Sequence, residues 1–251
     1  MIEYEKYRKN FFWIIFETKE CINHIDEKYK DNNDIYEIID GTINRFQLIS
    51  DILHFNINNT KKSEKRLKFN YWFFNPEIIT LSGITPDKSF HGTGSVSSSG
   101  LDYVVYNDSW KNHIEHIFHE EVHLITKYEI GEAPSLLNEG LAVYTELKVY
   151  KKEDYYINKY FDTWKNNISN QKGILTKLMS NEYFWSNFGK MPLYTIGAAF
   201  IHFLTERYGI ELVKSIFENT HFFDETLSSV IENKTNTTIE NLEMEINEFY
   251  K

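Results

Sequence analysis

The stretch His119-Glu120-Glu121-Val122-His123 predicts a helix that carries two histidines on one face. Four residues are close to one 3.6-residue turn, so both imidazoles point the same way and can bind one ion. Glu120 lies about 100° around such a helix from His119, where a carboxylate can act on a metal-bound water without binding the metal. The pattern H-E-x-x-H therefore indicates a catalytic zinc site, with Glu120 as its base.

A catalytic zinc ion usually takes a third protein ligand, and Glu139 is the candidate. It follows His123 by sixteen residues, with Gly131 and Pro134 between them. This spacing predicts a helix, a turn and a second helix that returns alongside the first. Two imidazoles and one carboxylate suit a single Zn²⁺ ion. Histidines that bind no metal are the alternative, but they would not explain an inward glutamate on a second helix.

Composition bounds the class of protein. A chain of 251 residues with 41% hydrophobic residues can bury a sizeable core. The net charge of −10 argues against a nucleic-acid partner, which would require a clustered basic surface. Cys21 is the only cysteine, so an intrachain disulfide is excluded. The first apolar run, residues 11–16, is too short to span a membrane, so we expect no membrane partner and a cytoplasmic location.

Strand-like sequence is concentrated in the first hundred residues. Residues 11–16, 69–74 and 101–106 are aromatic or β-branched runs bounded by polar residues. Between the first two runs, residues 35–53 repeat apolar side chains every three or four positions, which predicts an amphipathic helix. The small-residue segment 91–100 lacks the lysine or the full glycine pattern of a phosphate loop, so it is interpreted as a hairpin or edge strand.

From Asp108 onward the sequence is typical of helices. Asp108 or Ser109 can cap the helix that carries the histidines, and residues 138–150 form the next helix. Further helices are predicted at 193–208, near 225–232 and at 238–250, with weaker helical patterns over 153–181.

These patterns predict an α+β fold in two subdomains of one compact catalytic unit. Residues 1–128 form an N-terminal subdomain with a small mixed sheet and helices, ending in the H-E-x-x-H helix. Residues 129–251 form a helical subdomain that supplies the third ligand. The zinc site is expected in the cleft between them, as in a thermolysin-like zincin.

The pair of motifs H-E-E-V-H and L-N-E-G-L-A-V-Y-T-E, at residues 119–123 and 137–146, resembles the gluzincin metallopeptidases. Within them it resembles the peptidase MA-like proteins related to the catalytic domain of the aminopeptidase N family, mainly over residues 101–208. The resemblance implies zinc ligands at His119, His123 and Glu139 and a general base at Glu120. The family's spacing before the glutamate ligand is usually longer, so the connecting turn here must be tighter.

Three further residues are assigned roles beside the metal. Tyr194 matches the tyrosine of a helix start in the family, and the resemblance implies that its hydroxyl donates to the oxyanion. Glu146 lies about two turns after Glu139, where it could accept the far N–H of a histidine ligand. Asn138, which precedes Glu139, is assigned with Glu146 to the residues that support the ligands.

The predicted activity is zinc-dependent hydrolysis of peptide bonds in a peptide or protein substrate. The aminopeptidase N family holds the substrate's amine with a glutamate of a G-x-M-E-N segment, but residues 91–107 contain no glutamate. A classical aminopeptidase is therefore not expected. Two alternatives stay open: a catalytically silent zinc-binding protein that binds peptides or regulates, and a dedicated protease of one cellular regulator. The oligomeric state is left open.

Overall fold

Helices dominate the described chain. The computed structural model describes residues 13–17, 21–55, 69–73, 114–187, 192–221 and 226–251. Within those ranges ten α-helices accompany three strands of only five, six and five residues. The predicted α+β class is therefore wrong, and the thermolysin-like architecture derived from it is not retained. Of the three runs that predicted a sheet, the two near residues 13–17 and 69–73 form short strands, whereas most of the remaining described sequence is helical.

The elements are numbered in chain order. They are β1 (Trp13–Glu17), β2 (Cys21–Asp26), α1 (Asn33–Leu53), β3 (Phe69–Phe73), α2 (Ile114–Glu129), α3 (Ser135–Tyr150), α4 (Glu153–Asn167), α5 (Ile174–Leu178), α6 (Asn181–Ser186), α7 (Leu193–Tyr208), α8 (Ile210–Glu218), α9 (Leu227–Thr235) and α10 (Ile239–Phe249).

The chain divides into two compact units. The first comprises Met1–Ser50 and Asn56–Leu124, and the second comprises Asp51–Phe55 and Ile125–Lys251. Helix α2 runs through the boundary at 124/125, and the predicted boundary at 128/129 lies in the same helix.

A three-stranded sheet of order β1-β2-β3 lies in the first unit. β1 pairs with β2 antiparallel, and β2 pairs with β3 parallel. Strand β2 buries Cys21, Asn23 and Ile25, because alternate residues of a strand face the same side. The sequence did not predict this strand, since Asn23, His24 and Asp26 interrupt its apolar pattern.

Helix α1 buries the apolar face that its periodicity predicts, with two additions and one exception. Arg45 and Ser50 are also buried, at 5% and 2% exposed, whereas Ile43 is 56% exposed. The predicted positions that are buried are Ile35, Ile38, Ile39, Thr42, Phe46, Ile49 and Leu53.

Helices α3 and α7 form the centre of the second unit. Both bury residues on most of their circumference, as expected for helices surrounded by others. Long-range polar contacts join other helices of this unit to one another. Glu243 of α10 accepts hydrogen bonds from the backbone N–H of Gly173 at 2.7 Å and of Leu175 at 2.9 Å, which caps the short helix α5.

Several predicted features lie outside the described residues. They are the polar linker at 56–65, the small-residue segment at 91–100, the strand at 101–106 and the helix cap at Asp108 or Ser109.

Candidate metal centre

Helix α2 brings the two histidines of the H-E-x-x-H motif together. His119 and His123 are half-buried, and their Nε2 atoms lie 3.2 Å apart. The ring planes meet at 84°, with centroids 4.9 Å apart. This arrangement follows from four-residue spacing on one helix, since each side chain leans over the preceding turn. The Nε2 atoms of the two rings therefore point towards one position beside the helix.

Glu139 of α3 completes the group. One ligand atom from each of His119, His123 and Glu139 lies within 4.8 Å of the others. In the described part of the chain this is the one group of three histidine, cysteine, aspartate or glutamate side chains close enough to hold a metal ion. The three residues could therefore hold such an ion.

The turn between α2 and α3 positions Glu139. Gly131, two residues after the end of α2, adopts a φ of 101°, and its N–H donates to the carbonyl of Thr126 at 3.0 Å. This left-handed backbone suits glycine and ends the helix. Helix α3 begins at Ser135, three residues earlier than predicted. Its first N–H donates to Oδ1 of Asn181 at 2.7 Å, a cap from 46 residues away that the local sequence does not reveal.

Two glycines allow α3 and α7 to approach each other closely beside Glu139. A Cβ added to Gly140 would lie 2.5 Å from the backbone of Gly197, and one added to Gly197 would lie 2.4 Å from the carbonyl oxygen of Leu136. Both distances are too short for a real side chain. Because Gly140 follows Glu139 directly, this crossing also fixes the backbone of the third candidate ligand.

A buried ion pair connects α1 to α2 and was missed by the sequence analysis. Arg45 Nε donates to Glu121 Oε2 at 2.7 Å, and Arg45 Nη2 donates to Glu121 Oε1 at 2.8 Å. Arg45 is 5% exposed and Glu121 1% exposed. In the sequence, Arg45 stands beside Phe46 in the apolar stripe of α1, which indicates that it could be buried. No local pattern identifies its partner, which is 76 residues away.

The other predicted site residues lie on the expected helices. Glu120 is half-buried on α2, and Asn138 and Glu146 are half-buried on α3. Tyr194 is half-buried in the first turn of α7, and its ring stacks on Phe184 with centroids 6.3 Å apart. The roles assigned to these four residues stay predictions.

A separate polar contact lies in the second unit around His202. Tyr250 Oη donates to the carbonyl of Ala199 at 2.8 Å, so His202 Nδ1, also 2.8 Å from Tyr250 Oη, acts as the donor to that hydroxyl. Burial, assisted by the positive charge of Lys148, lowers the pKa of His202 to about 4. His202 is therefore neutral at physiological pH.

Comparisons with known proteins leave the site to be interpreted from its own geometry. No protein-family model matches the chain, and no curated protein sequence matches it either. Among the helices in the described ranges, none has both the length and the apolar character needed to cross a membrane.

Proposed function

We propose that this protein is a zinc-dependent metallopeptidase of the gluzincin type. The observation that carries the proposal is the convergence of His119, His123 and Glu139. Two histidines from one helix and a glutamate from the next are the donor types found at catalytic zinc sites that keep an open position. The adjacent Glu120 supplies the carboxylate that a purely structural zinc site would not need.

The spacing of the two histidine donors supports zinc. Two imidazole nitrogens bound to a tetrahedral zinc ion at about 2.0–2.1 Å lie roughly 3.3 Å apart. The Nε2 atoms of His119 and His123 are 3.2 Å apart. Imidazole and carboxylate donors also suit zinc better than magnesium or calcium, which prefer oxygen ligands alone. When bound, zinc would supply a Lewis acid for the scissile carbonyl and an acidified water.

The protein's own residues would then move the protons. In the proposed reaction Glu120 accepts a proton from the attacking water on a carboxylate oxygen and returns it to the nitrogen of the leaving amine. Tyr194 donates its hydroxyl proton in a hydrogen bond to the oxyanion that develops on the scissile carbonyl. His119, His123 and Glu139 hold the ion.

The proposed substrate is a peptide or protein cleaved at an internal bond. The sequence of residues 91–107 contains no glutamate to hold a free amino terminus, which disfavours a classical aminopeptidase.

The proposal is tested with purified wild type, Glu120→Gln and the control Glu218→Gln, whose side chain is exposed at the end of α8. Zinc content is measured by plasma mass spectrometry, and cleavage is measured with an unbiased peptide library. We expect about one zinc per chain in all three proteins. Cleavage is expected from the wild type and the control, with a loss of about 100-fold or more in Glu120→Gln, because the general base is removed.

Full activity of Glu120→Gln would contradict the assigned base. A wild type that binds zinc and cleaves neither the library nor cellular proteins would support the catalytically silent alternative. Cleavage of one cellular protein, without cleavage of the library, would identify a dedicated protease.

A further inference from the structure

We propose that Arg45 is a positioning residue for the metal group. Through Glu121 it fixes the rotation of α2 about its own axis, and thereby the direction in which the two histidines point. The inference deepens the proposed function and rests on it, since the group positioned is the proposed zinc site.

The position of Glu121 on α2 makes this control of rotation direct. Successive residues of an α-helix are about 100° apart around its axis. Glu121 lies two residues from His119 and two from His123, so it projects about 160° away from each of them. A contact made by Glu121 therefore holds the back of the helix whose front carries the two imidazoles.

The contact is directional. Arg45 Nε and Nη2 donate to the two different carboxylate oxygens of Glu121, at 2.7 and 2.8 Å. A paired fork of this kind holds the carboxylate in one plane as well as at one distance. Rotation of α2 by even part of a turn would break both bonds and leave two charges buried, because Arg45 and Glu121 are 5% and 1% exposed.

Helix α1 is built to hold the guanidinium. Arg45 Nη2 also donates to Thr42 Oγ1 at 3.0 Å, and Thr42 Oγ1 donates to the carbonyl of Ile38 at 3.2 Å. Gly41 lies one turn before Arg45, and a Cβ there would meet Arg45 Nη1 at 2.7 Å. A glycine is unfavourable inside a helix, so its presence here is explained by the space that the guanidinium needs.

Stability alone does not account for this pair. Burying two charges carries a large desolvation cost, and well-packed apolar residues often stabilise a core as well as or better than a buried ion pair. Apolar contacts also orient a helix, but they are less directional than a paired fork of hydrogen bonds, so the ion pair fixes the rotation of α2 more narrowly. The pair is thus suited to orienting the histidines.

The test replaces the ion pair with apolar residues, as Arg45→Met together with Glu121→Leu. The double variant leaves the net charge unchanged, so the overall attraction for a cation is preserved. The dissociation constant for Zn²⁺ is measured by competition with a chromophoric chelator, and folding is followed by urea unfolding. We expect cooperative unfolding and a dissociation constant raised roughly 10-fold or more, as when groups that orient metal ligands are removed.

A second readout separates orientation from stability. The visible absorption of bound Co²⁺ reports its coordination geometry, and we expect the spectrum of the double variant to differ from that of the wild type. The matched control is Trp164→Phe with Asn247→Leu, which removes a 2.8 Å side-chain hydrogen bond within the second unit. This control is expected to keep the wild-type zinc affinity and Co²⁺ spectrum.

A folded double variant with wild-type zinc affinity and Co²⁺ spectrum would overturn the inference. If the double variant does not fold, Gly41→Ala is the test of the inference. Its methyl group would contact only the guanidinium of Arg45. Weaker zinc binding by folded Gly41→Ala supports the role of Arg45, and unchanged binding overturns it. A wild-type protein that binds no zinc would instead overturn the proposed function, and this inference with it.

Discussion

At the scale of single residues, the buried His202 links the stability of the second unit to pH. Its pKa is lowered from 6.5 to about 4 by burial and by the positive charge of Lys148. The unfolded chain therefore takes up a proton at His202 as the pH falls below about 6.5, while the folded chain does not. The contribution of His202 to the free energy of unfolding is therefore present above about pH 6.5 and is lost progressively as the pH falls to about 4.

We predict that His202→Asn reduces the dependence of the unfolding free energy on pH in this range. Asparagine can keep an N–H near the position of Nδ1, which faces Tyr250 Oη, but it does not titrate. Between about pH 7 and pH 5, the wild type should lose about 2 kcal/mol of unfolding free energy relative to the variant. Urea unfolding at several pH values measures the difference. His221→Asn, at an exposed position, is the matched control, and parallel profiles for wild type and His202→Asn would contradict the prediction.

The residues of the metal group differ in how far sequence could identify them. His119 and His123 are fixed by four-residue spacing in one helix, which is a local property. Glu139 was identified because a turn separates two short, contiguous helical segments. Arg45 was not, since its importance depends on a partner 76 residues away that no local pattern specifies.

At the scale of elements, the crossing of α3 and α7 depends on two glycines. Alanine normally favours a helix over glycine by about 1 kcal/mol. At Gly197 its methyl group would lie 2.4 Å from the carbonyl oxygen of Leu136, so the two helices would have to separate. We predict that Gly197→Ala destabilises the fold by about 1–3 kcal/mol despite the better helix propensity.

Urea unfolding tests this prediction. Ser229→Ala, at an exposed position inside α9, is the control and should be neutral or slightly stabilising. A Gly197→Ala variant as stable as the wild type would show that the helices accommodate the methyl group without cost.

Helix boundaries were predictable where local sequence sets them. Helix α7 runs from Leu193 to Tyr208, the bounds that its sequence predicts, and Gly209 follows it at a φ of 86°. The start of α3 was predicted three residues late, because Asn181 caps it from a distant part of the chain. Strand β2 was missed, since a strand is stabilised by its neighbours rather than by its own residues.

At the scale of the whole molecule, binding of an ion by ligands from two helices should stabilise the folded state. A ligand that binds only the folded chain adds about 2.7 kcal/mol of unfolding free energy at 100 times its dissociation constant. For a chain of this size we predict that zinc raises Tm by roughly 5–10 °C over the chelator-treated protein.

Differential scanning fluorimetry with zinc and with EDTA measures this shift. His119→Ala should abolish it, because one of the three proposed ligands is lost. His221→Ala, which removes an exposed histidine outside the metal group, should keep it. An equal shift in both variants would mean that zinc acts at another site.

The sequence by itself determined the face of α2 that carries His119 and His123, the turn that returns Glu139 towards it, and the helical character of most described residues after Ile114. These features follow from periodicity and turn residues within short segments. The tertiary structure decided the mainly helical class, the buried pair of Arg45 and Glu121, and the contact of Gly140 with Gly197. Each of these depends on which distant residues meet, and pairing across a folded chain is not encoded in any local pattern.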